Sequence, residues 1–187
     1  GRIIRGVNYR TIGIGPKKGK NFKVKCPTTY LSTIIFESNT VIRLTLSFDV
    51  MAHQRNHIEL YGRKGSLVIP DPNMFGGSVY LCKKLGDKWK EFKTTKMSLG
   101  KINIKTQSSR ANESPTNANY RGTGLSEMAY CIEKRKKHRC NGELSLHVLD
   151  IIESTMKASI SGIPQKIKTK CKKPNKFSEQ EIKKLLI

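Results

Sequence analysis

From Ile42 to Asp49 the side chains alternate without a break: Ile42, Leu44, Leu46 and Phe48 are apolar, while Arg43, Thr45, Ser47 and Asp49 are polar. Successive side chains of an extended chain leave on opposite faces, so this run is a strand with one packed and one accessible face. Such one-sided sheets are typical of antiparallel architecture. Upstream, Ile34 and Phe36 alternate with Ile35 and Glu37, and the chain turns at Ser38-Asn39-Thr40, which lacks the glycine of a two-residue hairpin and therefore predicts a longer loop. Periodicity alone reads the polar face of 43 to 49 as solvated.

Strands recur along the first half. Arg2 to Tyr9 and Asn21 to Lys25 flank a turn at Gly15-Pro16-Lys17-Lys18-Gly19, whose glycines lack the spacing of a phosphate-binding loop. Glu59 to Tyr61 and Ser66 to Ile69 flank a glycine-bounded turn and form a hairpin. Pro70 and Pro72 end that pairing because neither carries an amide proton. Ser78 to Cys82 and Lys88 to Lys93 extend the meander through Gly86-Asp87, with Val79, Leu81 and Trp89 expected on inner faces. Residues 94 to 119 are polar with little periodicity and read as a long surface loop.

Two helices follow. Leu125, Met128, Ala129 and Ile132 fall at helical spacing and predict an amphipathic helix from Gly124 to Lys136, its basic residues at the C-terminal end. Leu144, Val148, Leu149, Ile151, Ile152, Thr155 and Met156 predict a second from Glu143 to Ile160, ended by Gly162 and Pro164. Residues 165 to 170 suggest one last strand, and Ser178 to Glu181 is a capping box opening a short helix, Glu179 to Leu186. Strands followed by helices give an α+β class. One domain over 1–170 with a C-terminal tail over 171–187 is expected.

Composition narrows the function classes. Five cysteines without a close pair argue against a disulfide framework or a Cys-rich zinc site. No apolar run reaches the roughly 20 residues that cross a bilayer, and no signal peptide opens the chain, so a cytoplasmic protein without membrane contact is expected. Gly1 is expected to be a fragment boundary or a processed end. The net charge of +22 would suit a polyanion-binding module. Its lysines are dispersed, however, and no nucleic-acid motif accompanies them, which favours a solvated surface over specific nucleic-acid binding. His53, His57 and Glu59 imitate a helical metal-ligand spacing, but their flanks are strands, along which four residues span roughly 13 Å. His53 is expected to line a pocket rather than bind metal. His147, Asp150 and Glu153 share a helix face, which reads first as a polar surface.

The wording of three stretches carries a resemblance. Glu59 to Gly77 reads ELYGRKGSLVIPDPNMFGG; Asn119-Tyr120-Arg121-Gly122 leads into Gly124-Leu125-Ser126-Glu127-Met128-Ala129; His138-Arg139 precedes Asn141-Gly142-Glu143-Leu144 and His147-Val148-Leu149-Asp150. In this order they resemble the C-terminal domain of the Gfo/Idh/MocA family of nicotinamide-dependent oxidoreductases. The Ser47 to Val50 strand with Ala52-His53 fits the same pattern, and the resemblance spans roughly residues 10 to 165. It implies an open, mostly antiparallel sheet with helices packed on one face, of the glyceraldehyde-3-phosphate dehydrogenase C-terminal type, which covers the substrate and builds an oligomer interface, giving the polar face of 43 to 49 a use. It also implies hydride transfer between a sugar, cyclitol or related polyol and NAD or NADP held by a separate N-terminal Rossmann domain.

The chain lacks the Gly-x-Gly-x-x-Gly fingerprint and a Glu-Lys-Pro stretch. The family's catalytic Lys and His are therefore expected upstream of Gly1, and this chain alone is expected to bind no cofactor and to be inactive. His53, Tyr120 and Arg121 are the expected substrate-side contacts, Arg121 through its planar fork, with a cap on the helix-entry loop as its equal alternative. A non-catalytic, ligand-sensing member of the same family is the alternative.

Overall fold

The computed structural model describes residues 1–103, 117–118 and 120–185. In chain order these contain strands β1 (Arg2–Ile4), β2 (Tyr9–Thr11), β3 (Asn21–Lys23), β4 (Thr29–Ile35), β5 (Val41–Ser47), β6 (Ile58–Gly62), β7 (Gly65–Ile69), β8 (Ser78–Cys82), β9 (Lys90–Lys93), β10 (Ile102–Asn103) and β11 (Asn117–Ala118). Helices α1 (Thr123–Glu133), α2 (Gly142–Ser161) and α3 (Glu179–Leu185) follow. The class is α+β with mostly antiparallel pairing. Among the described residues the strands form four separate ladders, β1-β4-β5, β2-β3, β6-β7-β8-β9 and the parallel pair β10-β11, where one open sheet was expected. No described helix is long and apolar enough to cross a membrane.

The chain divides into two compact units, Gly1–His53 with Gly142–Lys172, and Gln54–Asn141 with Lys173–Ile187. In the first, β4 and β5 pair from Thr29 opposite Ser47 to Ile35 opposite Val41. This register sets Tyr30 and Ile34 across from Leu46 and Ile42, so the alternation of the sequence becomes one apolar face. The connection is the longer loop expected; Asn39 sits at φ 62 and the Phe36 N–H donates to the Thr40 carbonyl. Asparagine tolerates that left-handed geometry better than most non-glycine residues.

The single strand expected over Arg2 to Tyr9 is two. β1 pairs with β4 and β2 with β3, in different ladders. Gly6 lies between them, where a methyl group would strike the Asp49 carboxylate.

α2 runs along β1, with the Ile3 N–H donating to Ser159 Oγ at 2.7 Å. The helix covers Leu144, Ile151, Ser154 and Thr155, while Leu146, Val148, Leu149 and Ile152 remain about half exposed. Part of the expected stripe is therefore on the outside. Residues 165–170 form no strand. They are held instead by the Asp150 carboxylate, which accepts from the backbone N–H groups of Lys168 (2.8 Å) and Thr169 (2.9 Å) and from the Thr169 hydroxyl (2.9 Å). His147 Nδ1 lies 2.9 Å from the same hydroxyl. These bonds hold the Asp150 carboxyl at a pKa of about 2, the Thr169 backbone donor first among the causes.

In the second unit, β6 to β9 form an antiparallel meander whose first turn, Arg63-Lys64, is closed by Gly62 opposite Gly65. Gly65 has φ 133, and a Cβ there would collide with the Cys82 carbonyl. Beyond β7 the Asp71 carboxylate caps a turn of 3-10 helix, Pro72–Met74, by accepting from the Asn73 N–H at 2.9 Å. Thr94 then ties the following glycines down. Its hydroxyl accepts from the Gly77 N–H at 2.9 Å and lies 2.7 Å from the Gly100 carbonyl. The loop expected over 94 to 119 is described over 94–103, where it folds back on Gly76 and Gly77 and enters β10; 104–116 and Asn119 lie outside the described residues.

Helix α1 corrects the sequence expectation. Leu125 and Ile132 are 72% and 68% exposed, and the buried face is Thr123, Glu127 and Cys131. The helix also stops at Glu133 rather than Lys136, with Arg135 at φ 50 and the Lys136 N–H donating back to the Cys131 carbonyl. The basic residues 134–137 thus follow the helix instead of closing it. Glu127 is inside because Arg139 meets it there, and Arg139 also reaches the segment before α3. That short helix opens with the capping box read from sequence. Ser178 Oγ accepts from the Glu181 N–H at 3.2 Å, and Glu181 accepts from the Ser178 N–H at 2.7 Å.

Candidate functional site

The proline-stiffened loop after β7 is gripped by the residues that open α1. The Tyr120 ring packs against Phe75 with centroids 5.1 Å apart, and Arg121 Nη1 donates to Asn73 Oδ1 at 2.7 Å. Phe75 stands at φ 63 at the end of the 3-10 turn, which aims its ring at Tyr120. Beneath them Asn103, 1% exposed, accepts from the Tyr120 N–H through Oδ1 at 2.8 Å. Asn103 Nδ2 has no partner among the described residues. His57 Nε2 lies 3.9 Å from the Asp71 carboxylate at the start of the same loop.

The structure brings two of the three expected contacts together. Tyr120 and Arg121 join Asn73 and Phe75, with Tyr120 buried and Arg121 exposed. His53 is exposed and closes the first segment of the other unit. Asn73, Phe75 and Asn103 went unnoticed in the sequence as site residues. Pro-Asp-Pro-Asn marks a rigid turn, but nothing local shows that an arginine 48 positions later will bond to its Asn.

A second polar cluster stands on the accessible face of β5. Asp49 Oδ2 accepts from the hydroxyls of Thr28 (2.6 Å) and Thr29 (2.8 Å), Ser47 Oγ lies 2.6 Å from Thr29 Oγ1, and Arg10 Nη2 is 3.5 Å from Asp49 Oδ1. Arg10 also donates to the Phe48 carbonyl. The hydroxyl of Thr28, then that of Thr29, hold the Asp49 carboxyl below its ordinary range. Of the polar face read as solvated, Arg43 and Thr45 are exposed, while Ser47 and Asp49 are internally bonded in a knot that fixes the end of β5.

A pyrophosphate is held where a glycine-rich turn leads from a strand into a helix N-terminus. The glycine-rich Gly13 to Gly19 joins β2 to β3 as a closed hairpin loop, with the Gly19 N–H donating to the Ile12 carbonyl at 2.8 Å. Among the described residues no group of three His, Cys, Asp or Glu side chains converges for a metal ion. All five cysteines are free thiols.

No protein-family model, curated protein or solved structure matches the chain.

Proposed function

We propose that this chain is the substrate-side and oligomerisation domain of an NAD(P)-dependent oxidoreductase of the Gfo/Idh/MocA type, a cytoplasmic enzyme acting on a sugar, cyclitol or related polyol. One observation carries the reading: the second of the three stretches whose wording resembles that family bonds to the first and to Arg139 at the start of the third. Tyr120 and Arg121 of the second grip Phe75 and Asn73 of the first, and Arg139 of the third bonds Glu127 of the second. Chance matches scattered along a chain have no reason to meet. The glyceraldehyde-3-phosphate dehydrogenase-like C-terminal fold is part of the same proposal.

With no Gly-x-Gly-x-x-Gly fingerprint in the chain, the reading assigns the cofactor and the catalytic Lys and His to a separate Rossmann domain. This chain supplies the wall that orients the polyol, with Arg121, fixed by Asn73, as the group that meets a hydroxyl or carboxylate. Exposed Leu31, Ile35 and Val41, which share one face of the first unit's sheet, suit burial against a second subunit.

The test has two arms. The intact chain, titrated with NADH and read by nucleotide fluorescence, shows no saturable binding, and tight binding would overturn the division of labour. The same chain joined to its cofactor domain reduces NAD or NADP in the presence of one member of a polyol panel. Absence of polyol-dependent reduction across the panel defeats the enzymatic reading.

A further inference from the structure

The outer face of the β6-β9 sheet carries side chains that the proposed hydride chemistry does not use. Glu59 and Tyr61 stand two residues apart on β6 and so share a face. Register places Val68 opposite Glu59, and Tyr80 opposite Val68. Trp89, just before β9, comes to the same side, and Asn56, just before β6, completes the rim of a depression of about 360 Å³. Trp89 was expected on an inner face with Val79 and Leu81; pairing of Val79 with Phe92 and of Tyr80 with Glu91 puts it on the opposite one.

The polar wall of this depression is pre-set. Asn56 Nδ2 donates to Glu59 Oε1 at 2.6 Å, and the Tyr61 hydroxyl donates to Glu59 Oε2 at 2.5 Å. The Tyr61 and Asn56 donors hold the Glu59 carboxyl below its ordinary range, and the same carboxylate raises the Tyr61 phenol. A fixed, ionised acceptor therefore sits beside open ring surfaces, with Tyr61 75% and Trp89 49% exposed.

We infer that this face binds a neutral sugar ring. A pyranose has an apolar C–H face that suits aromatic rings and a hydroxyl edge that donates to a carboxylate and exchanges bonds with an amide. A phosphate or carboxylate ligand would meet Glu59 as a like charge. A cation would have to approach a chain of net charge +22, with Arg55 already acting on Glu59. A neutral ring meets neither objection. The depression is shallow, so affinity for a single ring is expected on the order of 1 mM, as for a ligand of about a dozen heavy atoms at ordinary efficiency.

The inference needs no cofactor and does not rest on the oxidoreductase reading. Trp89 is the only tryptophan, so its emission reports on this face alone. Titrating the intact chain with methyl pyranosides should give a saturable emission change and, in saturation-transfer NMR, signal on the sugar protons. Both should weaken at least tenfold in Tyr61→Ala and Glu59→Gln, and both should persist in Arg121→Ala, which lies in the site proposed for the polyol substrate. The inference is overturned if no pyranoside gives saturable emission or transfer. It is equally overturned if the two variants bind as well as the parent, or if tetramethylammonium or adenosine saturates the face and the sugars do not.

Discussion

Arg139 Nη1 lies 3.0 Å from Glu127 Oε1, and the same carboxylate accepts from the Arg139 backbone N–H at 3.1 and 3.2 Å. Glu127 is 4% exposed. The guanidinium continues to Glu181 at 2.9 Å and to the Asn175 carbonyl at 2.8 Å, and stacks 3.9 Å from the Phe177 ring centroid. One arginine thus ties α1 to the segment that enters α3. Removing one partner of a buried pair leaves the other charge uncompensated. Glu127→Ala is expected to lower stability by roughly 3 kcal/mol in urea titration. Arg139→Lys should recover only part of the anchoring, since an ammonium cannot reproduce the fork. Limited proteolysis near Phe177 checks it.

Asp150 gives the chain an acid-sensitive clasp. Its folded pKa of about 2 lies below the ordinary 3.8, so its contribution is complete above that ordinary value and is lost as pH falls through the folded one. Glu181, held at about 2 by the Ser178 N–H and by Arg139, behaves alike in the other unit. Protection of the Lys168 and Thr169 amides against hydrogen exchange, taken relative to their intrinsic rates at each pH, is expected to fall between pH 4 and 2. In Asp150→Asn those amides should exchange fast already at neutral pH, with little further change on acidification.

Gly76 is expected to tolerate no side chain. A Cβ there would run into the Gly100 carbonyl, which accepts from the Thr94 hydroxyl while the Gly100 N–H donates to the Met97 carbonyl. Gly76→Ala should destabilise by about 3 kcal/mol or more, as overpacking against backbone does, and Gly13→Ala, whose Cβ meets open space, by far less. Thermal melting of the two variants decides.

Tyr120 and Arg121 are expected to separate by role. Tyr120→Phe keeps the ring against Phe75 and should stay close to the parent in stability, whereas Tyr120→Ala empties the contact at a cost of roughly 3 kcal/mol. Arg121→Ala, at an exposed position, should change stability by less than about 1 kcal/mol. Its effect should fall instead on polyol affinity, read by calorimetry on the two-domain protein.

Cys131 should be the slowest thiol to alkylate. Burial, then the neighbouring Glu127 carboxylate, push its pKa up, while Cys26 and Cys140 are exposed. Mass spectrometry after brief iodoacetamide treatment should find the last two modified and Cys131 intact. Glu127→Ala, by loosening the site, should bring Cys131 into reach.

Much of the fold was legible because its signals are local. The β5 alternation, the β6-β7 hairpin, the limits of α2 and the Ser178 capping box follow from periods, turn residues and caps within a few positions. What escaped depends on distant partners. Nothing near Glu127 shows that Arg139 will draw it inward and leave Leu125 outside, and nothing near Trp89 fixes which face it takes until β8 and β9 are in register. Residues 165–170 alternate like a strand but find a carboxylate in place of a neighbouring strand. At the candidate site, Tyr120 and Arg121 were readable and their counterparts Asn73 and Phe75 were not, since the contact spans 48 positions.

The two units are interleaved along the chain: the first resumes at Gly142 after Asn141 ends most of the second, and the second resumes at Lys173. Neither can be inherited as an uninterrupted cassette. A gene rearrangement that carried off Gln54–Asn141 would leave α3 behind, and with it the carboxylate and ring on which Arg139 rests. A stop codon just after Lys172 would spare every segment of the first unit and injure the second, so damage at the C-terminus should be felt in the middle of the sequence.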